Sequence, residues 1–101
     1  VLAIARKAEA ITGLEVGNSE VPFLQHYKAS NRFRAHYDMY NVDMTKPFPY
    51  RDNYRSTTLL AYLNDVPPGG GGETEFMMAT PRPFTVPPRE GAALVWANCE
   101  L

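Results

Sequence analysis

Short apolar segments separated by proline and glycine restrict the fold of this sequence more than any other feature. The 101-residue chain contains nine prolines and seven glycines, and the apolar runs between them are only a few residues long. Proline cannot donate a ladder hydrogen bond, so it marks the ends and edges of strands rather than their centres. Many short strands with such turns are typical of a jelly roll or a β-sandwich. Because 45% of the residues are hydrophobic, the chain also has enough apolar surface for one small domain.

The first dozen residues follow a different pattern. Apolar or small side chains recur close to a 3.6-residue period, with charged residues between them, at Val1, Leu2, Ile4, Ala5, Ala8 and Ile11. Gly13 stands where a helix is commonly capped at its C-terminus. The sequence therefore predicts a helix over about residues 1–12, followed by strands over about residues 21–98.

The predicted strands share β-favouring residues bounded by turn residues. They are Val21–Tyr27, Phe33–Tyr37, Arg55–Asn64, Thr74–Phe76, Phe84–Val86 and Ala92–Ala97. The aperiodic stretch 41–53 is predicted to be a long loop, which either closes over a peptide or lies on the surface. Gly69–Gly72 is followed by no Gly-Lys-Ser/Thr, which excludes a P-loop and favours a tight turn.

Charge and cysteine content exclude several classes of function. The net charge is −1 and there is no basic run, so nucleic acid is not expected as a partner. No apolar run approaches the roughly 20 residues that span a bilayer. Cys99 is the single cysteine, so no disulfide can form within the chain. The chain starts at Val1 and ends directly after an apolar segment, so we expect it to be a piece of a longer protein.

His36 and Asp38 are the strongest candidates for chemistry. In an extended segment, residues two positions apart lie on the same face, so the imidazole and the carboxylate would point to one place. Together they supply two thirds of the 2-His-1-carboxylate triad that holds Fe(II) with open coordination positions. In isolation this spacing is more often a solvated strand face, so the interpretation depends on the rest of the sequence.

Several further blocks occur in order with this pair. They are Gln25–Tyr27, Arg55 leading into Thr58–Asn64, Gly71–Phe76, Val86–Pro87 and Gly91–Trp96. With them, residues 14–98 resemble the catalytic domain of the prolyl 4-hydroxylases, which are Fe(II)- and 2-oxoglutarate-dependent dioxygenases. The resemblance implies that residues 1–101 form a partial domain of this kind: mostly β with an N-terminal helix, in an incomplete double-stranded β-helix (jelly roll).

The resemblance also implies roles for individual residues. His36 and Asp38 match the first two iron ligands, and Tyr27 matches a tyrosine that helps to bind 2-oxoglutarate. The family's third ligand, a histidine, and a lysine that pairs with 2-oxoglutarate follow the tryptophan segment and are not in this chain. The other histidine, His26, matches no ligand position. We therefore expect the 101 residues alone to be inactive.

The implied function is hydroxylation of peptidyl proline with Fe(II), 2-oxoglutarate and O₂, and with ascorbate as a reductant. The partner would be a proline-containing peptide or protein, and the family allows for the endoplasmic reticulum as the compartment. Two alternatives stay open: a non-catalytic jelly-roll binding module, and a related dioxygenase that hydroxylates another residue. Arg55 is expected either to touch substrate or to pair with a carboxylate, and Trp96 is expected in the core.

Overall fold

The computed structural model describes residues 2–39, 45 and 55–98. The chain divides into two compact units, Val1–Asn31 and Arg32–Leu101. Each unit is described by itself below. The predicted loop 41–53, apart from Thr45, and Cys99 lie outside the described residues.

The first unit begins with helix α1, Leu2–Thr12. Its C-terminus is capped by Gly13, which has a φ of +70° and donates its N–H to the Glu9 carbonyl over 2.9 Å. A positive φ is readily adopted only by glycine, and this is why the helix ends here. A 3-10 turn follows at Val16–Asn18. The predicted N-terminal helix is therefore confirmed.

Two predicted strands, at residues 21–27 and 33–37, are not formed in this structure. The backbone of both segments is irregular. A turn separates them, in which Asn31 accepts the Lys28 N–H and returns its own N–H to the Lys28 carbonyl, both over 3.0 Å. A strand requires a neighbouring backbone as well as β-favouring residues, because its hydrogen bonds are made to another strand. The sequence pattern shows the β-favouring residues but does not specify a neighbouring strand.

Among the described residues of the second unit, four strands form, and all of them fall where the sequence predicted strands. β1 (Thr57–Ala61) pairs antiparallel with β4 (Ala93–Ala97), and β2 (Thr74–Phe76) pairs antiparallel with β3 (Phe84–Val86). In the first pair Leu59 lies opposite Val95. The β1–β4 ladder extends beyond the strands at both ends, since Asn98 donates to the Ser56 carbonyl and Tyr62 to the Ala92 carbonyl, each over 2.9 Å.

An aromatic junction of Phe76, Phe84 and Trp96 connects the two strand pairs. The ring of Phe76 stacks on that of Phe84 with centroids 4.9 Å apart, and it meets the edge of Trp96 at 5.2 Å. The Tyr62 and Thr74 hydroxyls add a hydrogen bond of 2.7 Å between β2 and the residue that follows β1. Aromatic pairs at these separations contribute beyond the area that they bury. The junction therefore provides an apolar contact between the two pairs.

The mostly β composition with an N-terminal helix is confirmed, whereas the incomplete double-stranded β-helix (jelly roll) stays a prediction. Within the described residues the strands form two separate two-stranded sheets. No aliphatic or aromatic side chain in that part of the chain, other than Pro88, is buried. Among the same residues, no helix has the length and apolar character needed to traverse a bilayer.

Candidate metal centre

His36 and Asp38 bring their side chains together in the second unit. His36 Nε2 lies 3.1 Å from Asp38 Oδ1. The backbone around them is irregular rather than strand, yet the two side chains still meet. The His36 side chain is 37% exposed and that of Asp38 is 20% exposed, so solutes can reach both groups.

The imidazole of His36 is held by its near neighbours in sequence. Its Nδ1 lies 2.6 Å from the Arg34 carbonyl oxygen, and its ring packs against Phe33 with centroids 4.1 Å apart. A carbonyl oxygen can only accept, so Nδ1 carries the proton in this contact. In neutral His36 the lone pair is then on Nε2, which is the nitrogen that faces Asp38. A histidine whose other nitrogen donates to a carbonyl is the usual state of a metal ligand.

This arrangement places two electron-rich atoms next to each other. The lone pair of a neutral imidazole and a carboxylate oxygen repel each other at 3.1 Å unless a positive charge lies between them. Either a proton on Nε2 or a metal cation provides that charge. The first produces an ion pair of imidazolium and carboxylate, and the second produces two ligands on one ion.

The carboxylate of Asp38 is held by residues that are distant in sequence. Its Oδ2 accepts a hydrogen bond of 2.6 Å from the Thr58 hydroxyl on β1. The Thr58 oxygen in turn lies 2.9 Å from Nδ2 of Asn98, the residue after β4. Arg55 Nη1 lies 3.4 Å from the Asp38 carbonyl oxygen. Asp38 therefore uses Oδ2 for protein contacts and directs Oδ1 toward His36.

The donor set fits two positions of an octahedral metal ion. Ligand atoms about 2.1 Å from a metal and at right angles to each other lie about 3.0 Å apart, close to the 3.1 Å between Nε2 and Oδ1. One imidazole nitrogen and one carboxylate oxygen are also the ligand types of a facial triad. His36 and Asp38 are thus suited to hold a divalent metal in adjacent positions.

Within the described residues, His36 and Asp38 form a pair of candidate ligands rather than a larger group. No group of three or more His, Cys, Asp or Glu side chains that could hold a metal occurs within residues 2–39, 45 and 55–98. Tyr27 belongs to the first unit, where its hydroxyl lies 3.2 Å from Gln25 Oε1. Its role toward 2-oxoglutarate stays a prediction.

Thr58 and Asn98 were not singled out from the sequence, and Arg55 was left between two roles. Thr58 is the second of two threonines that begin β1, and Asn98 directly follows β4. Thr58 also begins the block Thr58–Asn64, but the sequence does not predict these contacts, because they join residues 20 and 40 positions apart. The structure shows Arg55 in contact with a backbone carbonyl oxygen. Its two predicted roles, contact with substrate or pairing with a carboxylate, stay predictions.

In comparisons with known proteins, no family model, no curated protein and no solved structure matches the chain.

Proposed function

We propose that this chain carries part of the active site of an Fe(II)- and 2-oxoglutarate-dependent dioxygenase, similar to the prolyl 4-hydroxylases. The observation that carries the proposal is the contact of 3.1 Å between His36 Nε2 and Asp38 Oδ1. The Nδ1 contact with the Arg34 carbonyl places the Nε2 lone pair of neutral His36 opposite the carboxylate, so a positive charge is required between them, and in the proposed function a metal cation supplies it.

The residues of this chain bind and orient in the proposed mechanism. His36 and Asp38 would each occupy one position on the metal, and a histidine that is C-terminal to Trp96 in the family would occupy a third. Iron, when bound, couples the oxidative decarboxylation of 2-oxoglutarate by O₂ to hydroxylation of a carbon atom. Three protein ligands on one side of the ion leave positions for the bidentate 2-oxo acid and for O₂. The exposure of both side chains (37% and 20%) allows these molecules to reach the site.

The proposed substrate is peptidyl proline, with ascorbate as the reductant that maintains Fe(II). This part of the proposal depends on the resemblance of residues 14–98 to the prolyl 4-hydroxylases. Tyr27 is proposed to help bind 2-oxoglutarate on the same basis. The two alternative functions are a related dioxygenase that acts on another residue and a binding module without catalysis.

The test uses the full-length natural protein, loaded anaerobically with Fe(II) and then given 2-oxoglutarate, O₂, ascorbate and a proline-rich peptide. Succinate formation and one added oxygen atom on proline, located by mass spectrometry, are the expected products. His36→Ala should abolish both, since it removes a ligand and opens the site. His26→Ala is the matched control and should retain both, because His26 matches no ligand position.

Each result selects one of the functions. Hydroxylation of a residue other than proline, with loss in His36→Ala, identifies a related dioxygenase. A folded protein that produces no succinate and shows no metal binding is the non-catalytic module. Equal activity in His36→Ala and the unchanged protein would show that His36 is not a ligand and would end the proposal.

A further inference from the structure

Thr58 and Asn98 form a short chain of hydrogen bonds that ends on Asp38. Asn98 Nδ2 lies 3.0 Å from the Arg55 carbonyl oxygen and 2.9 Å from the Thr58 hydroxyl. The Thr58 hydroxyl lies 2.6 Å from Asp38 Oδ2. The side chains of Asn98 and Thr58 therefore link the end of β4 to the candidate ligand Asp38 by hydrogen bonds.

The direction of each bond in this chain follows from the groups involved. A carbonyl oxygen can only accept, so the Asn98 atom that faces the Arg55 carbonyl must be the amide NH₂. The same NH₂ donates its second proton to the Thr58 oxygen. A hydroxyl has a single proton, and Asp38 Oδ2 as a carboxylate can only accept, so the Thr58 proton is directed to Oδ2.

We propose that Asn98 and Thr58 are positioning residues that hold the Asp38 carboxylate as a one-oxygen metal ligand. The inference rests on the proposed function, because it concerns the same metal. Hydrogen bonds to an ionised carboxylate are among the stronger ones in proteins. With Oδ2 occupied by the Thr58 hydroxyl, Oδ1 is the oxygen that remains for a metal beside His36 Nε2.

The strand pair gives this chain of bonds a rigid base. Thr58 lies on β1 opposite Trp96 of β4, and the Asn98 N–H continues the ladder by bonding to the Ser56 carbonyl over 2.9 Å. The backbones of both positioning residues are therefore fixed by the ladder, whereas Asp38 lies in an irregular segment. Ligands on irregular backbone depend on such support to keep their geometry.

The experiment measures binding of Co(II) alone to the full-length natural protein under anaerobic conditions, through the visible absorption of the bound ion. Thr58→Val removes the hydroxyl at nearly constant volume and should weaken Co(II) binding roughly 10- to 100-fold. Thr58→Ser keeps the hydroxyl and should restore binding. Thr57→Val makes the same exchange one residue away, on the opposite face of the strand, and should leave binding unchanged.

Asn98→Asp provides a second, independent variant in case Thr58→Val does not fold. It replaces the NH₂ donor by an acceptor that competes for the Thr58 proton, so it should also weaken Co(II) binding. Circular dichroism of every variant shows whether the fold is kept. Binding of Co(II) to folded Thr58→Val or to Asn98→Asp as tightly as to the unchanged protein would overturn the inference.

His36→Ala separates this inference from the proposed function. If the unchanged protein binds Co(II), if His36→Ala loses it and if Thr58→Val keeps it, the metal centre stands and the positioning role is wrong. If His36→Ala binds Co(II) normally, or if the folded unchanged protein binds none, the proposed function is wrong and the positioning role with it.

Discussion

The two units of the molecule are held by contacts of different range. In residues 2–31, side-chain hydrogen bonds join near neighbours, such as Thr12 to Ala8, four positions apart, and Val16 to Glu9, seven positions apart. In the second unit, Thr58 reaches Asp38 over 20 positions and Asn98 reaches Thr58 over 40. Short-range contacts close small loops, whereas long-range contacts require the strand pairs to be in place.

The difference shows why the candidate metal centre belongs to the second unit. A metal site needs ligands fixed to within fractions of an ångström. His36 is oriented by Phe33 and Arg34, from its own segment. Asp38 is oriented by Thr58 on β1, which in turn accepts a hydrogen bond from Asn98 after β4. His36 is therefore held by short-range contacts and Asp38 by long-range contacts. Loss of the strand pairing should disturb the position of the Asp38 side chain before that of His36.

The largest expected effect on stability comes from the aromatic junction. Phe76→Ala removes both the stacking on Phe84 and the contact with Trp96. We expect a loss of about 2 kcal/mol in the free energy of unfolding, below the 3–5 kcal/mol of a fully buried phenylalanine because Phe76 is only half-buried. Urea unfolding followed by near-ultraviolet circular dichroism measures it.

Phe23→Ala in the first unit is the matched control for Phe76→Ala. Phe23 is 76% exposed, so its removal should change the free energy of unfolding by less than about 0.5 kcal/mol. Equal losses for the two variants would contradict the view that the second unit depends on the junction.

The next effect concerns two glycines with different surroundings. A Cβ on Gly70 would lie 2.6 Å from Val66 Cγ1 and 2.9 Å from the Pro67 carbonyl oxygen, whereas a Cβ on Gly13 would meet nothing within 4 Å. Gly70→Ala should therefore destabilise the second unit by about 1.5 kcal/mol, within the usual cost of overpacking. Gly13→Ala should cost about 1 kcal/mol through its positive φ of +70° alone.

Hydrogen exchange resolves where each glycine substitution acts. Gly13→Ala should speed amide exchange at the end of α1 and leave β1 and β4 unchanged, since its contacts are local. Gly70→Ala should speed exchange in β2 and β3. A change at β1 or β4 caused by Gly13→Ala would show that the effect of this substitution extends beyond the first unit.

The sequence predicted the helix and all four observed strands, because each has a strong local signal. For α1 the signal is the apolar period together with Gly13, and for the strands it is the apolar runs between prolines and glycines. The strands predicted at 21–27 and 33–37 are absent, because strand formation depends on a partner that local residues do not specify. The spacing of His36 and Asp38 predicted that their side chains lie close together. The contacts of Thr58 and Asn98 could not be predicted, because they depend on partners that are distant in sequence.

The smallest expected effect is at Thr12, on the local side of the comparison. Its hydroxyl donates to the Ala8 carbonyl over 2.7 Å and accepts the Leu14 N–H over 3.2 Å. Thr12→Ala removes both bonds, but water can replace them at this partly exposed position and alanine favours the helix more than threonine. We therefore expect the free energy of unfolding to change by less than about 0.5 kcal/mol, with faster amide exchange at Leu14 and Gly13.

Thr12→Ser is the control: it keeps the hydroxyl, so its amides should exchange as in the unchanged protein. Co(II) binding should be the same in all three, because the hydroxyl of Thr12 bonds to Ala8 and Leu14 in its own unit. Weaker binding in Thr12→Ala would show that the metal centre depends on the first unit.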